Sequence, residues 1–233
     1  MMNILTSVEF SSAIIGALIG ALIGGFFTWL AAYYTMKKQR KLDEEQRRAE
    51  CMPLLRIELA EMLPDDNDFS VLGIENGELL TSANPDAEIV YTFLCVSPDV
   101  AAAFNFRVAA VYAEPFGIMN RSSAFAPLPV QLLRDERKMI LFNYLDEIDS
   151  NIDIVIRFEY EDVLKNIYVQ DAFFQYFETE YDDRKRKILE KREVLQPQLK
   201  GTAEGKKMNI KSLEEIVNIQ KSSEKLLIWD ERC

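Results

Sequence analysis

No charged side chain occurs between Glu9 and Lys37, and within that interval Ala13 to Tyr34 reads AIIGALIGALIGGFFTWLAAYY. A soluble fold has few places for such a run. As a helix its 22 residues, at about 1.5 Å each, reach roughly 33 Å, against a hydrocarbon core of about 30 Å. Its nine Ile, Leu and Phe residues contribute about −0.3 to −0.6 kcal/mol each, so insertion is favoured by roughly 3 to 5 kcal/mol. The pattern predicts a transmembrane helix over residues 11–36, behind a short extracytoplasmic N-terminus at 1–10. A cleaved signal peptide is the alternative, and three features oppose it. MMNILTSVEF holds no Lys or Arg, the run exceeds a signal-peptide core, and Lys37, Lys38, Arg40 and Lys41 follow the span. Under the positive-inside rule that cluster stays cytoplasmic, which puts the N-terminus outside and the C-terminal body inside. Trp29, Tyr33 and Tyr34 fall where an interfacial aromatic belt facing the lipid bilayer would sit.

The span is patterned as well as apolar. Ser12, Gly16, Gly20 and Gly24 recur every four residues, and Ala13, Ala17 and Ala21 form a second row about 100° around the helix. Small residues at this spacing let helix backbones approach closely, and association in lipid depends on that packing. The two rows predict a homo-oligomer packed through one broad face, and two adjacent rows suit neighbours in a ring. Gly and Ala are common in membrane helices generally, which is the bland reading of the same pattern.

Residues 37–52, beginning KKQRKLDEEQRRAE, contain no Gly before Pro53 and carry Asp43–Arg47 and Glu44–Arg48 in the favourable i,i+4 orientation. A charged juxtamembrane helix continuous with the span is predicted, ending at Pro53, which has no N–H to donate. Beyond it the period changes. Ile152, Ile154, Ile156, Phe158 and Tyr160 alternate with polar or opposite-face positions, and similar stretches occur at 54–62, 89–96, 103–112, 128–133, 139–144 and 167–177. The first of these, with Leu55, Leu59 and Met62, also fits a helix. Asn76-Gly77 marks a hairpin turn. Strands without intervening helices predict a mainly-β cytoplasmic domain at 53–181, an antiparallel sandwich or small barrel. The missing crossover helices and Gly-rich loop disfavour an α/β nucleotide-binding sheet. Residues 182–233 read as a charged helix and linker followed by a C-terminal helix from Ser212, whose hydroxyl forms a capping box with Glu215.

Composition bears on chemistry. The chain has no histidine and three cysteines, Cys51, Cys95 and Cys233, none within CxxC spacing. Ser-His and Cys-His nucleophile pairs and imidazole ligands are therefore absent, and no disulfide framework is indicated. Residues 1–50 hold 6 of the 27 basic and 5 of the 38 acidic side chains, leaving the rest of the chain at −12. General nucleic-acid binding is not expected of such a body. Pro64 to Asp68 resembles a calcium loop, but counting from Asp66 the sixth position is Val71 where Gly is required. Two further acidic groups, Asp146, Glu147, Asp149 and Asp153, and Glu159, Glu161 and Asp162, read as solvated turns before they read as carboxylate pairs. Phe104, Phe106, Phe173, Phe174, Tyr176 and Phe177 read as core. The basic run 184–187 can touch anionic lipid or form one turn of a soluble helix. Asn120-Arg-Ser122 matches a glycosylation acceptor that a cytoplasmic location makes irrelevant. No metal or cofactor is implied, and no enzymatic activity.

Ser97-Pro-Asp-Val-Ala-Ala-Ala-Phe-Asn-Phe106 and Ile156-Arg-Phe-Glu-Tyr-Glu-Asp-Val-Leu-Lys-Asn-Ile-Tyr168, taken with the Gly-rich span, resemble a loose class of uncharacterised bacterial single-pass membrane proteins with a cytoplasmic β-sandwich. More distantly the layout is similar to membrane-anchored anti-phage effectors that carry a β-barrel sensing domain, though these usually have two membrane helices and this chain has one. The resemblance implies an inner-membrane oligomer whose β-domain senses a small-molecule or protein ligand, with a possible role in antiviral defence. A passive scaffold that recruits a cytosolic protein is the alternative. No ligand-binding residue transfers from the resemblance.

Overall fold

The structure is a computed structural model and describes residues 2–60, 69–80, 92–120, 130–134, 136–144, 151–181 and 184–230. The chain divides into two units, residues 1–50 and 51–233.

The first unit is the helix α1, Met2–Cys51, running without a break through the apolar stretch and the charged one. Fifty residues make about 75 Å of helix. The Thr28 and Thr35 hydroxyls donate to the carbonyls of Gly24 and Ala31, both at 2.8 Å, so both find a partner one turn back. In the charged half Arg48 pairs with Glu44, and the Gln46 amide donates to Glu50 at 2.9 Å. The helix stops two residues before Pro53, as the missing N–H demands.

The second unit is a two-sheet sandwich. One sheet has the order β1-β4-β8-β2-β3, built from β1 Leu55–Ala60, β4 Thr92–Pro98, β8 Lys138–Tyr144, β2 Phe69–Glu75 and β3 Glu78–Leu80. The other has the order β11-β10-β9-β5-β6, built from β11 Arg184–Val194, β10 Ile167–Tyr181, β9 Ile152–Glu161, β5 Ala103–Ala113 and β6 Gly117–Asn120. Two short strands lie off this path: β12, Gln198–Gly201, pairs with β10, and β7, Val130–Leu132, pairs with β5. Within the 54–62 stretch, which also fits a helix by spacing, Leu55–Ala60 is strand because Leu55 and Ile57 are needed in the core, and residues 61–62 lie outside the described residues. Every pairing is antiparallel except β2 with β8, which is parallel.

Alternation explains the core. Ile152, Ile154, Ile156, Phe158 and Tyr160 of β9 turn inward with Ala172, Phe174 and Tyr176 of β10, and meet Leu55, Ile57, Leu72, Ile74, Leu94, Val96, Ile140 and Phe142 of the facing sheet. Phe142 meets Tyr176 edge-on at 6.1 Å between ring centres, and Phe106 stacks on Phe158 at 5.6 Å. Each phenylalanine truncated to alanine here removes about 3 to 5 kcal/mol of stability. The hairpin turn falls at Asn76-Gly77 with φ of 51° and 77°, the left-handed pair a type I′ turn needs.

The charged stretch after Tyr181 is a correction. Its composition predicts helix, whereas it forms β11, an antiparallel partner to β10 from Ala172↔Val194 to Tyr181↔Arg184, and the sheet continues through β12 to Gly201. Leu189 is the physical reason within the described side chains: only as a strand does it enter the core, where it is 3% exposed. The Lys191 ammonium also donates to the Ile57 carbonyl at 3.0 Å, tying the β11 edge of one sheet to β1 of the other.

The helix α2, Leu213–Asp230, opens on the predicted capping box: Ser212 N–H donates to Glu215 Oε2 at 2.7 Å and Glu215 N–H to Ser212 Oγ at 3.1 Å. Leu213, Ile216 and Val217 cover Ala110, Val155 and Phe173 on the outer face of the seven-stranded sheet. Lys221 anchors this docking through Glu114 and the Tyr112 hydroxyl, and the Glu114 hydrogen bond holds its ammonium above the usual lysine range.

The first residues after α1 are fastened to the sheet. Gln170 accepts from Leu55 N–H at 3.0 Å and donates to the Leu55 carbonyl at 3.1 Å, while the Tyr160 hydroxyl lies 2.9 Å from the Pro53 carbonyl and 3.0 Å from Gln170 Oε1. Burial, with a smaller contribution from Tyr168, pushes the Tyr160 phenol well above the usual tyrosine range. A phenol whose folded pKa is raised keeps its proton after the unfolded chain has lost it. Stability from Tyr160 is therefore complete below about pH 10 and falls as pH rises beyond it, by about 1.4 kcal/mol per pH unit. Tyr160→Phe should lower stability at neutral pH and also flatten the decline above pH 10 by that amount, measured by urea unfolding at stepped pH. An unchanged slope would mean that the phenol ionises freely in the folded state.

Candidate functional site

The residues of the predicted helix-packing face all lie on α1. Gly16, Gly20 and Gly24 face open space, with nothing within 4 Å of where a Cβ would stand. Ala17 and Ala21 are exposed, and Ser12 and Ala13 continue the two rows along the helix backbone. From Gly16 to Tyr34 every described residue is exposed except the half-buried Leu30, and Leu22 is 73% exposed. Leu18, Ile19, Leu22, Ile23, Phe26, Phe27 and Trp29 all stand open. At about 1.5 to 3 kcal/mol per large apolar side chain, leaving seven in water costs on the order of 10 to 20 kcal/mol. The helix is long and apolar enough to span a membrane, and lipid or other helices remove that cost. Trp29 stacks on Tyr33 with ring centres 6.0 Å apart, Tyr34 lies edge-on to Tyr33, and Lys37, Lys38, Arg40 and Lys41 are exposed one turn further on.

The described acidic group Glu159, Glu161 and Asp162 does not assemble into a site. Glu159 pairs with Arg107 and Lys200, Glu161 lies 3.5 Å from Lys165, and Asp162 is fully buried, accepting from Asn166 N–H at 2.9 Å, Asn166 Nδ2 at 2.7 Å and Tyr168 Oη at 3.1 Å. Each carboxylate serves a different partner. Asp153 is half-buried on β9, and Asp146, Glu147 and Asp149, like the 64–68 loop and Arg121-Ser122, lie outside the described residues. Among the described residues no three His, Cys, Asp or Glu side chains come together to hold a metal ion. Phe106, Phe173, Phe174 and Tyr176 are buried as core, Phe104 and Phe177 are half-buried, and the basic run Arg184–Lys187 lies on β11.

Beside Glu159 the outer face of the seven-stranded sheet carries a buried ion pair. Arg157 on β9 stands directly across from Asp171 on β10 and grips it with two bonds, Nε to Oδ1 at 2.7 Å and Nη2 to Oδ2 at 2.9 Å. The same guanidinium donates to the Lys211 carbonyl at 3.1 Å, fixing the segment that leads into α2. Burial, aided by Arg107 and Arg157, lowers the pKa of Lys200 nearby. Every charge in this group has a partner, which marks it as structural.

A different arrangement occurs where β1 and β4 meet the β7–β8 turn. Arg56 is paired across the strands with Ser97, and because Leu55 and Ile57 point into the core, both face outward. Arg134 and Arg137 reach the same place from the turn and, with Pro98 and Asp99, complete a cleft of about 330 Å³. Among the described residues, the turn leaves these cations without a carboxylate partner of their own. Glu136, one of the two acids between them and the one among the described residues, folds back to accept from Leu133 N–H at 2.9 Å, and its own N–H donates to the Leu133 carbonyl at 2.9 Å. Arg56 makes a solvent-exposed pair with Glu58 at 2.8 Å, worth little in water. Among the described residues Arg134 and Arg137 have no acidic partner within salt-bridge distance. Burial pushes the neighbouring Cys95 thiol up, against an opposing pull from Arg137. Sequence reasoning missed this site because its arginines are separated by some eighty residues, and 134–138, RDERK, reads locally as a mixed-charge turn.

Searches against known protein families, curated proteins and solved structures find no match to this chain.

Proposed function

We propose that this chain is an oligomeric single-pass protein of a bacterial inner membrane, N-terminus outside, whose cytoplasmic β-domain senses a ligand or partner. We further propose that the assembly perturbs the membrane, in the manner of an anti-phage defence effector. The observation that carries the reading is α1 itself. Its apolar half is exposed along nearly all of its described residues and carries a small-residue face, and its charged half continues as unbroken helix to the residues that Gln170 and Tyr160 fasten to the sandwich. The Arg56, Arg134 and Arg137 cleft is where a sensed ligand would be held.

Helix association is tested by disulfide crosslinking in native membranes of single Cys variants at Gly16, Gly20 and Ile19, in a background where Cys51 and Cys233 are Ser. Gly16→Cys and Gly20→Cys should crosslink strongly and Ile19→Cys weakly. Equal crosslinking at all three, or none, would sink the packed face. Replacing the span with an unrelated Leu-rich helix abolishes the activity of an oligomerising effector and spares that of a passive scaffold. Leakage of dye from liposomes that contain the purified protein tests the membrane-perturbing step.

A further inference from the structure

The cleft bounded by Arg56, Ser97, Asp99, Arg134 and Arg137 has the chemistry of an anion site in a body that is otherwise strongly acidic. Guanidinium groups present rigid forks of N–H donors that match the paired oxygens of phosphate, and an Arg freed from carboxylates keeps that capacity for a ligand. Among the described residues Arg134 and Arg137 are so freed, with Glu136 spent on the backbone of its own turn. An arginine pair supported by Arg56 and the Ser97 hydroxyl exceeds the charge of Asp99, so the site favours an anion. Asp99 then sets a second requirement: its carboxylate accepts a hydrogen bond and repels a bare anion. The volume of about 330 Å³ lies at the small end of ligand pockets.

We propose that this cleft binds a phosphate ester that carries an amine or hydroxyl donor, with Arg134 and Arg137 gripping the phosphate and Asp99 accepting from the donor. Such a group occurs on soluble metabolites and on lipid headgroups alike. The inference rests on reading the β-domain as a ligand sensor, and it names the class of that ligand.

Calorimetric titration of the full-length protein in detergent, at constant ionic strength, tests the site with two probes, inorganic pyrophosphate and O-phosphoethanolamine. Both should bind saturably at one site per chain, and Arg134→Gln and Arg137→Gln should each weaken binding about tenfold. The Arg134→Lys/Arg137→Lys variant keeps the charge but loses the fork, and should also bind more weakly. Arg192→Gln, an exposed arginine on β11, should change nothing. Asp99→Asn separates the two roles: it should tighten pyrophosphate and loosen O-phosphoethanolamine. Absence of saturable binding, or equal affinity in the wild type and the double Gln variant, overturns the site. Unchanged thermal unfolding of the variants without probe shows that they fold.

Repeating the titration in nanodiscs identifies the source. Competition by phosphatidylethanolamine against phosphatidylcholine discs assigns the cleft to a headgroup, and unchanged affinity assigns it to a soluble ester. A monomer in the crosslinking experiment would refute the oligomeric reading while leaving this binding intact, so the two failures are distinguishable.

Discussion

Asp171→Ala should lower the unfolding free energy by about 3 to 5 kcal/mol, because it leaves the Arg157 guanidinium buried without its carboxylate. The pair is 10% and 1% exposed at its two side chains, so water cannot readily replace the lost partner. Removing the charge on one side alone is what makes the loss large. The double variant Arg157→Met/Asp171→Leu removes both charges and should recover most of it, since a well-packed apolar pair in place of a buried ion pair is often neutral or better. The remaining deficit comes from the Lys211 carbonyl, which loses the Arg157 donor and with it one tie on the entry to α2. Urea unfolding followed by circular dichroism measures both. A loss below about 1 kcal/mol in the single variant would show that the site relaxes to admit water.

Leu22→Lys combined with Ile23→Lys should take the protein out of the membrane fraction. These residues sit at the centre of the 13–34 stretch, where each lysine costs about 2.5 to 3.5 kcal/mol and each lost apolar side chain a further 0.3 to 0.6. The sum, about 6 to 8 kcal/mol, exceeds the roughly 3 to 5 kcal/mol by which the wild-type stretch favours insertion. Two lysines placed instead at Gln46 and Glu50, in the charged half of α1, should leave fractionation unchanged. Carbonate extraction reads out the difference. Full retention of the double lysine variant in the pellet would mean that contacts other than this span hold the protein at the membrane.

The two variants probe parts of the chain that differ in how far local sequence specifies them. The span, the helix that follows it and its end near Pro53 are set by neighbours within one or two turns, so charge spacing and a single imino acid suffice. The same holds for the β9 alternation, the Asn76-Gly77 turn and the Ser212–Glu215 cap, each a local pattern with a local cause. The charges of β11 satisfy a helical propensity that long-range pairing with β10 overrides. Leu189 has somewhere to go only when β10 lies alongside. In β5 two register shifts, with Asn105 at φ 50°, break the alternation, so that Val108 and Val111 both enter the core while Ala110 lies under α2.

The candidate cleft illustrates the same division at the level of chemistry. Arg56, Ser97 and Arg137 carry no shared motif, and their meeting depends on β1 pairing with β4 and β4 with β8. That Glu136 turns to its own backbone and leaves the arginines available is a hydrogen-bond choice made only in the folded turn.

By itself the sequence determined that this chain carries a charge-free helix long enough for a membrane, a stiff charged continuation, and a β-rich acidic body without histidine chemistry. These follow from composition and short-range periodicity. Only the tertiary structure decided which strands pair, that the stretch after Tyr181 is sheet, that Arg157 and Asp171 are partners, and that three arginines converge on one cleft. Those facts depend on contacts between residues far apart in the chain, where closing the loops between them is repaid by burial that no local window contains.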